Sequence, residues 1–271
     1  MAPQSKGAKK SRKLGELEVQ HEWDRYSKGG FQFEPFVPKN ERQSLLYQAC
    51  LQSPIVIAIG PAGTAKSYCE AAAAINLLSD PHSEVERILL TRSPVPTGHT
   101  TGFNPGSAEE KLAPWLAPVI DNLKKVSKTD SGSDGFFNYL THNSAIKMME
   151  LESIKGSSWD NCVVIGEEAQ EMTLEQLRNL TTRIGESSKV FLNGDVRQGN
   201  ERIRGSQFFK FVSSIHRSNE RILKRMEEGV ELEEWETLIP IIEFKKEDCV
   251  RSGVVRLMIE IFEWEDEFGE H

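Results

Sequence analysis

The pattern of apolar and polar residues predicts strands that alternate with helices. Ile55 to Ile59 is an apolar run without polar alternation, as expected of a strand buried on both faces of a parallel sheet. Shorter apolar runs at 87–91, 162–165 and 189–192 predict further strands, and the alanine-rich stretch 66–78 predicts a helix. Because right-handed crossovers join strands that alternate with helices, we predict an α/β fold with one parallel sheet and helices on both faces.

Capping and turn residues predict where several of these elements begin and end. Asn40 is predicted to cap a helix from Glu41 to Gln52, because its side-chain oxygen can accept a hydrogen bond from an amide of the first turn. Pro54 ends this helix before the first strand. In the C-terminal third, the charged stretch from Ile215 to Glu236 predicts a helix or a pair of helices.

The chain is predicted to hold one core domain between two polar ends. Residues 36–262 form the core domain, residues 1–35 a basic and disordered tail, and residues 263–271 an acidic tail. The early positive charges of the first tail come from five residues, Lys6, Lys9, Lys10, Arg12 and Lys13. Segments 93–106 and 127–135 are rich in turn-forming residues, so we predict surface loops there within the one domain.

The composition favours a cytoplasmic protein without a membrane partner that contacts nucleic acid only locally. The chain has 271 residues, and its 33 basic and 41 acidic side chains leave a net charge of −8. This is the wrong sign for a protein that binds mainly to phosphate backbones. No apolar run approaches the roughly 18 residues of a membrane helix. The four cysteines lack a metal-binding spacing, so we predict neither a zinc site nor a disulfide framework.

A glycine-rich loop follows the first predicted strand and precedes a helix. Its small residues let main-chain amides close around a triphosphate, and the start of the helix adds partial positive charge. Lys66 can reach the outer phosphates, and Ser67 can ligate Mg²⁺. The predicted nucleotide-binding residues are Gly60, Pro61, Ala62, Gly63, Thr64, Ala65, Lys66 and Ser67. The alternative is an ordinary glycine-rich turn between a strand and a helix.

Ala65 departs from the usual phosphate-binding loop, which has glycine immediately before the lysine. A methyl group at this position crowds the phosphate, or costs roughly 1–2 kcal/mol if the position needs a left-handed backbone. The strict motif is therefore not met, and the prediction depends on the placement of the loop between strand and helix.

Two adjacent carboxylates follow the apolar segment 162–165. Glu167 is predicted to hold Mg²⁺ through a water molecule, and Glu168 to polarise the attacking water, as phosphoryl transfer requires. Glu167 stands where aspartate is commoner, so its reach to the metal is longer and less fixed. The alternative for this pair is a solvated first helical turn that the helix dipole favours.

Taken together, these motifs resemble those of the PhoH family, whose core is related to superfamily 1 helicases. The resemblance runs from about Phe36 to Ile261. It is carried, in order, by Pro38-Lys-Asn40 with Gln43, Gly60 to Ser67, Thr91-Arg92, Gly102-Phe103 with Pro105-Gly106 and Lys111, Glu168-Ala-Gln170, Thr182-Arg183-Ile-Gly185, Gly194-Asp195 with Gln198, and Asp248 with Val250-Arg251. The chain departs from the family pattern at Ser93 and at Lys155 to Ser158, which weakens the part that concerns RNA.

The resemblance implies a single RecA-like P-loop NTPase domain with ATP and Mg²⁺ as cofactors. It assigns recognition of adenine to Gln43, and sensing of the terminal phosphate with positioning of water to Gln198. Lys66 and Glu168 would be catalytic residues. Either Arg251 or Arg183 would complete the site, within the chain or across a subunit boundary.

The resemblance also implies single-stranded RNA as a partner and a homo-oligomeric ring, a hexamer, with the site at a subunit interface. Arg92, Phe103, Lys111 and Trp115 are then candidates for phosphate contact or base stacking. For Phe103 and Trp115 the alternative is a place in the core.

Two other functions are compatible with the same motifs. A P-loop kinase would pass the phosphoryl group to a small molecule, and it would need an acceptor pocket and a lid that carries arginines. A binding module would use ATP only to fix an assembly, with catalysis weakened by Ala65 and Glu167. Because Lys66, Ser67 and Glu168 serve the metal and the water, an ATPase is the preferred hypothesis.

Overall fold

A computed structural model describes residues 35–93, 108–128, 135–151, 159–196, 206–251 and 253–268. The described residues form a six-stranded sheet in the order β3-β2-β4-β5-β1-β6, and every neighbouring pair is parallel. The strands are β1 Ile55–Ile59, β2 Arg87–Arg92, β3 Ile146–Met148, β4 Cys162–Glu167, β5 Lys189–Gly194 and β6 Ile241–Glu243. The predicted α/β class with a parallel sheet is confirmed.

Helices cover both faces of the sheet. They are α1 Glu41–Gln52, α2 Lys66–Ser79, α3 Ala108–Val126, α4 Gly135–His142, α5 Leu174–Thr182, α6 Ser206–Glu227 and α7 Gly253–Phe268. Alternate residues of β1 enter two different apolar clusters, Val56 and Ala58 with α1 to α4, and Ile57 and Ile59 with α5 and α6. Among the helices described, none combines the length and the apolar character needed to cross a lipid bilayer.

The predicted cap of α1 is confirmed. The Oδ1 atom of Asn40 accepts a hydrogen bond from the backbone N–H of Gln43 at 2.9 Å, which satisfies one free donor of the first turn. The Asn40 Nδ2 atom donates to the carbonyl oxygen of Asp248 at 3.3 Å, so the same side chain also ties α1 to the segment after β6.

The prediction of a helix over 215–236 was wrong in its bounds. Helix α6 begins at Ser206 and ends at Glu227, after which Gly229 adopts a left-handed backbone (φ +70°) that ends the helix. The chain then returns to the sheet without a second helix, and Asn219 holds this return through two hydrogen bonds to the backbone of Ile239. The edge strands β3 and β6 have three residues each, too few for their periodicity to be read from the sequence.

The parallel order brings the carboxyl ends of β1, β5 and β4 to one edge of the sheet. Strand β5 lies between β1 and β4, with Ile59 opposite Gly194 and Gly166 opposite Leu192. Ligands of open α/β sheets bind outside the carboxyl ends of the strands, so this edge is where the predicted loop and carboxylates can meet.

Candidate functional site

The glycine-rich loop leaves the carboxyl end of β1 with a backbone that requires glycine at two positions. Gly60 has φ +133°, and a Cβ atom there would lie 2.3 Å from the carbonyl oxygen of Phe244. Gly63 has φ +83°. The N–H of Gly60 donates to the carbonyl oxygen of Gly194 at 3.1 Å, which fixes the start of the loop to β5. Helix α2 begins at Lys66, so its amino end faces the loop.

Ala65 adopts the left-handed backbone (φ 70°, ψ 27°) that the motif normally gives to glycine. A residue with a Cβ atom pays roughly 1–2 kcal/mol for this conformation. The loop therefore keeps its shape at Ala65 at the expense of stability.

Lys66 lies inside the loop. Its Nζ atom donates to the carbonyl oxygens of Gly60 at 2.6 Å and Pro61 at 2.9 Å. Burial lowers the pKa of Lys66, and nearby carboxylates, first that of Asp195, oppose this shift. The ammonium group is therefore held at the mouth of the loop, where phosphate oxygens can replace the two carbonyls.

Ser67 and Glu167 form the contact between the loop and β4. The hydroxyl of Ser67 donates to Oε2 of Glu167 at 2.9 Å, and Glu167 is only 8% exposed. The Oε1 atom of Glu167 is buried without a hydrogen-bond partner, and burial raises the pKa of this residue. Mg²⁺ binds oxygen ligands and keeps several waters, so a hydroxyl and an unsatisfied carboxylate fit this ion.

Glu168 follows β4 in a left-handed conformation (φ 52°). Its Oε2 atom accepts from Nε2 of Gln170 at 2.5 Å, and Oε1 of Gln170 accepts from the N–H of Asp195 at 3.1 Å. The N–H of Glu168 donates to Oδ1 of Asn193 at 3.4 Å. Gln170 thus holds the carboxylate of Glu168 in place and joins the end of β4 to the end of β5.

A third glutamate, Glu70, lies behind Glu167 and was not predicted. It is fully buried on α2, and its Oε2 atom accepts from Nδ2 of Asn193 at 2.5 Å. Burial, together with the charge of Glu167, raises the pKa of Glu70 to about 8. The sequence holds one signal for it, a single acidic residue directly before an alanine run in a buried helix, three positions after Ser67.

These residues surround a cleft of about 450 Å³, the loop cleft. Its lining comes from the loop, from Glu167 and Glu168 at the end of β4, from Asn193 and Asp195 at the end of β5, from Arg92 of β2, from Trp115, Asn122 and Lys125 of α3, and from Arg251. A second space of about 950 Å³, the aromatic pocket, adjoins it. The loop cleft and the aromatic pocket share four lining residues, Ala65, Tyr68, Lys125 and Val250, so the two spaces are adjacent.

Aromatic rings line the second space. Phe36 stacks on Tyr47 with ring centroids 4.5 Å apart and lies 6.1 Å from the ring of Tyr68. Gln43 is buried beside them, where its Oε1 atom accepts from the N–H of Lys39 at 2.8 Å and its Nε2 atom donates to the carbonyl oxygen of Thr64 at 3.2 Å. Gln43 therefore joins the segment before α1 to the glycine-rich loop.

The two candidate arginines lie at opposite edges of the sheet. Arg251 packs on the loop: a Cβ atom added to Gly63 would lie 3.0 Å from its Cδ atom. The N–H of Val250 also donates to the carbonyl oxygen of Gly63 at 3.1 Å. Arg183 instead follows α5 near the amino end of β4, where its carbonyl oxygen accepts from the N–H of Trp159. Within this chain the structure does not bring Arg183 to the cleft.

The structure describes three of the remaining predicted residues and leaves two outside the described ranges. Arg92 and Trp115, considered for contact with RNA, line the loop cleft, whereas Lys111 on α3 does not. Gln198 and Phe103 lie outside the described residues.

Comparisons with known proteins show which family the chain belongs to. The model of the family described as PhoH-like protein matches residues 36–263. The chain is 30% identical over 222 residues to Protein PhoH of Escherichia coli (strain K12), covering 81% of this chain and 56% of that protein. It is 31% identical over 215 residues to the PhoH-like protein of Bacillus subtilis (strain 168), covering 79% and 60%. It is 35% identical over 161 residues to the PhoH-like protein of Mycobacterium leprae (strain TN), covering 59% and 44%. The chain thus spans about half the length of these relatives.

Proposed function

This chain belongs to the PhoH family of P-loop ATPases, and on that premise we propose that it binds ATP together with Mg²⁺ and hydrolyses it. One contact supports the proposal above all: the Ser67 hydroxyl lies 2.9 Å from the Glu167 carboxylate, and the half-buried Lys66 lines the same cleft. A hydroxyl, a carboxylate and a lysine at the start of a helix are the groups that a P-loop offers to a magnesium-bound triphosphate.

Binding of the triphosphate falls to the loop and the start of α2. Main-chain N–H groups of the loop and the positive end of the α2 dipole favour an anion there. Lys66 exchanges its bonds to two loop carbonyls for bonds to phosphate oxygens. Ser67 and Glu167 would hold Mg²⁺, which when bound neutralises charge on the phosphate oxygens.

Glu168 is the proposed general base. Its carboxylate orients the attacking water and accepts a proton from it, and the bond from Gln170 keeps the acceptor oxygen in one position. Because Gln170 also binds the N–H of Asp195, it holds the base in register with β5. We propose that Gln198, three residues after Asp195, senses the terminal phosphate, and that Arg251, packed on the loop, supplies the positive charge that stabilises the reaction.

The aromatic pocket is the proposed site of the adenine base. An amide side chain has two N–H groups and two acceptor positions on its oxygen. Gln43 uses one N–H for Thr64 and one acceptor position for Lys39. One donor and one acceptor position remain for the base, whose ring would stack against Phe36, Tyr47 or Tyr68.

The proposal extends to the bounds of the domain, its cellular location and its assembly. We propose residues 36–262 as the ATPase domain between a basic and an acidic tail, although α7 continues past this boundary to Phe268. A cytoplasmic location suits the four free thiols. A homo-oligomeric ring that acts on RNA would give Arg183 a role, because from the far edge of the sheet it could serve only the cleft of a neighbouring copy.

Release of phosphate from Mg²⁺-ATP tests the proposal, with and without single-stranded RNA. We expect hydrolysis by the wild type, and loss of hydrolysis in Lys66→Ala. Lys147→Ala, a change on the exposed edge strand β3, is the control and should hydrolyse ATP like the wild type. Tight ATP binding without phosphate release would contradict the ATPase and favour an assembly module. Transfer of the phosphoryl group to a third molecule would favour a kinase.

A further inference from the structure

We propose that Arg92 contacts the terminal phosphate of the nucleotide in the loop cleft, and that this contact lets the chain distinguish a nucleoside triphosphate from a diphosphate. The inference rests on the proposed function, because it assumes that a nucleotide occupies the cleft. It gives Arg92 a place in the nucleotide site instead of the contact with RNA considered from the sequence.

The position of Arg92 follows from the register of the sheet. Arg92 is the last residue of β2 and lies directly opposite Glu167 of β4. The order β2-β4-β5-β1 places Arg92 on the far side of Glu167 from the loop that follows β1. If the loop holds the inner phosphates, as the proposed function assumes, a terminal phosphate beside Glu167 would also lie on the side of the cleft that Arg92 lines.

Helix α3 holds the guanidinium group at the wall of the cleft. The Cζ atom of Arg92 lies 5.5 Å from the ring centroid of Trp115, which is the distance of a cation–π contact. Its NH1 atom donates to the carbonyl oxygen of Trp115 at 3.3 Å. Ring and carbonyl restrict the planar group, so less conformational entropy is lost when it binds an anion.

Arg92 has capacity for an anion. Its Nε atom is buried without a hydrogen-bond partner, and among the described residues no carboxylate forms an ion pair with it. The side chain is half-buried and lines the same cleft as Lys66 and Ser67. A guanidinium group binds phosphate through two parallel N–H bonds, which suits a phosphate that approaches from the loop.

Arg87 offers a matched control at the other end of the same strand. It is also half-buried, donates to one backbone carbonyl at 3.3 Å (that of Asp160), and has a buried Nε atom without a partner. It differs from Arg92 in its place, because it lines the opposite edge of the sheet and not the loop cleft.

The test compares the affinity for ADP with that for an ATP analogue whose β–γ bridge resists hydrolysis, by calorimetry in Mg²⁺. We expect Arg92→Ala to weaken binding of the analogue by about 10- to 100-fold, the value of a charged hydrogen bond, and to change ADP binding less than about twofold. Arg92→Lys keeps the charge without the planar fork, so an intermediate loss is expected. Arg87→Ala should leave the ratio of the two affinities unchanged.

Two outcomes would overturn the inference while leaving the proposed function intact: equal effects of Arg92→Ala on the analogue and on ADP, or loss of RNA binding alone. If Arg92→Ala does not fold, as judged by its melting curve, Arg92→Lys decides by the same ratio, and an unchanged ratio rejects the contact. A wild type that binds neither nucleotide would instead reject the proposed function, and the inference with it.

Discussion

Both edges of the sheet carry strained backbone, but only the carboxyl edge buries acidic side chains beside a lysine. Among the described residues other than glycine, those with a left-handed backbone at the carboxyl edge are Ala65 and Glu168, for which this conformation is strained. At the amino edge they are Ser144, Asn161 and Ser187, so left-handed backbone occurs at both edges, although asparagine tolerates it better than the other four residues. Backbone strain persists where the surrounding structure maintains it, and it is often found at functional sites.

The burial of acidic side chains distinguishes the two edges. Glu70 and Glu167 are buried beside Lys66 at the carboxyl edge, each with one oxygen that lacks a hydrogen-bond partner. At the amino edge the pocket of about 840 Å³ includes Glu84 and Glu86, which are exposed. The edge that buries acidic groups at a cost in desolvation is therefore the edge that carries the candidate site.

The largest effect is expected from Glu168→Gln. If Glu168 is the general base, as proposed, its loss should slow ATP hydrolysis by about 10²- to 10⁴-fold, whereas binding of ATP should persist because the amide keeps the shape of the side chain. Steady-state release of phosphate and equilibrium binding of ATP measure the two effects. Glu86→Gln at the amino edge is the control and should hydrolyse like the wild type. Equal rates for Glu168→Gln and the wild type would remove the base assigned here.

The second effect is a dependence of the free energy of unfolding on pH, which Glu70 causes. Its pKa is about 8 in the folded protein against 4.5 in the unfolded chain, so between these values the folded state keeps a proton that the unfolded state has lost. The free energy of unfolding should therefore fall with rising pH in this window, by roughly 1.4 kcal/mol per pH unit from this group, and level off above pH 8.

Glu70→Gln removes this contribution, because the amide does not titrate and can still bind Asn193. Urea unfolding at several pH values between 5 and 9 should show the variant gaining stability relative to the wild type as pH rises. Glu167, whose pKa is also raised, and Lys66, whose pKa is lowered, remain in both proteins and contribute to both curves. Parallel curves for the two proteins would mean that Glu70 is ionised throughout the window.

The third effect is a gain in the free energy of unfolding. Ala65→Gly should stabilise the protein by about 0.5–1 kcal/mol, because glycine adopts the left-handed backbone without strain but has a more flexible unfolded state. Denaturant midpoints, with the slope checked for constancy, give the difference. A loss of stability would mean that the methyl group makes contacts worth more than the strain it causes.

The fold class and the glycine-rich loop could be predicted from the sequence because the patterns that indicate them lie within short stretches of the chain. A few neighbouring residues suffice to predict the strand Ile55 to Ile59, the alanine-rich helix and the cap at Asn40. Glu70 and Arg92 could not be placed in this way, because their surroundings come from β4, β5 and α3, far away in the chain. The pairing order of the strands, which puts Arg183 at the amino edge and Arg92 in the cleft, is a tertiary property that no single segment contains.

The smallest effect is expected at the amino edge, from Asn161→Gly. Asn161 has φ 54°, almost the same backbone as Ala65, and its N–H donates to the carbonyl oxygen of Glu186 at 3.0 Å. Asparagine loses little in this conformation, so the strain relieved by glycine and the added freedom of the unfolded chain should cancel to within about 0.5 kcal/mol. The same urea titration as for Ala65→Gly measures it. A gain as large as that of Ala65→Gly would mean that the left-handed backbone costs as much at Asn161 as at Ala65, and its cost would then not distinguish the candidate site.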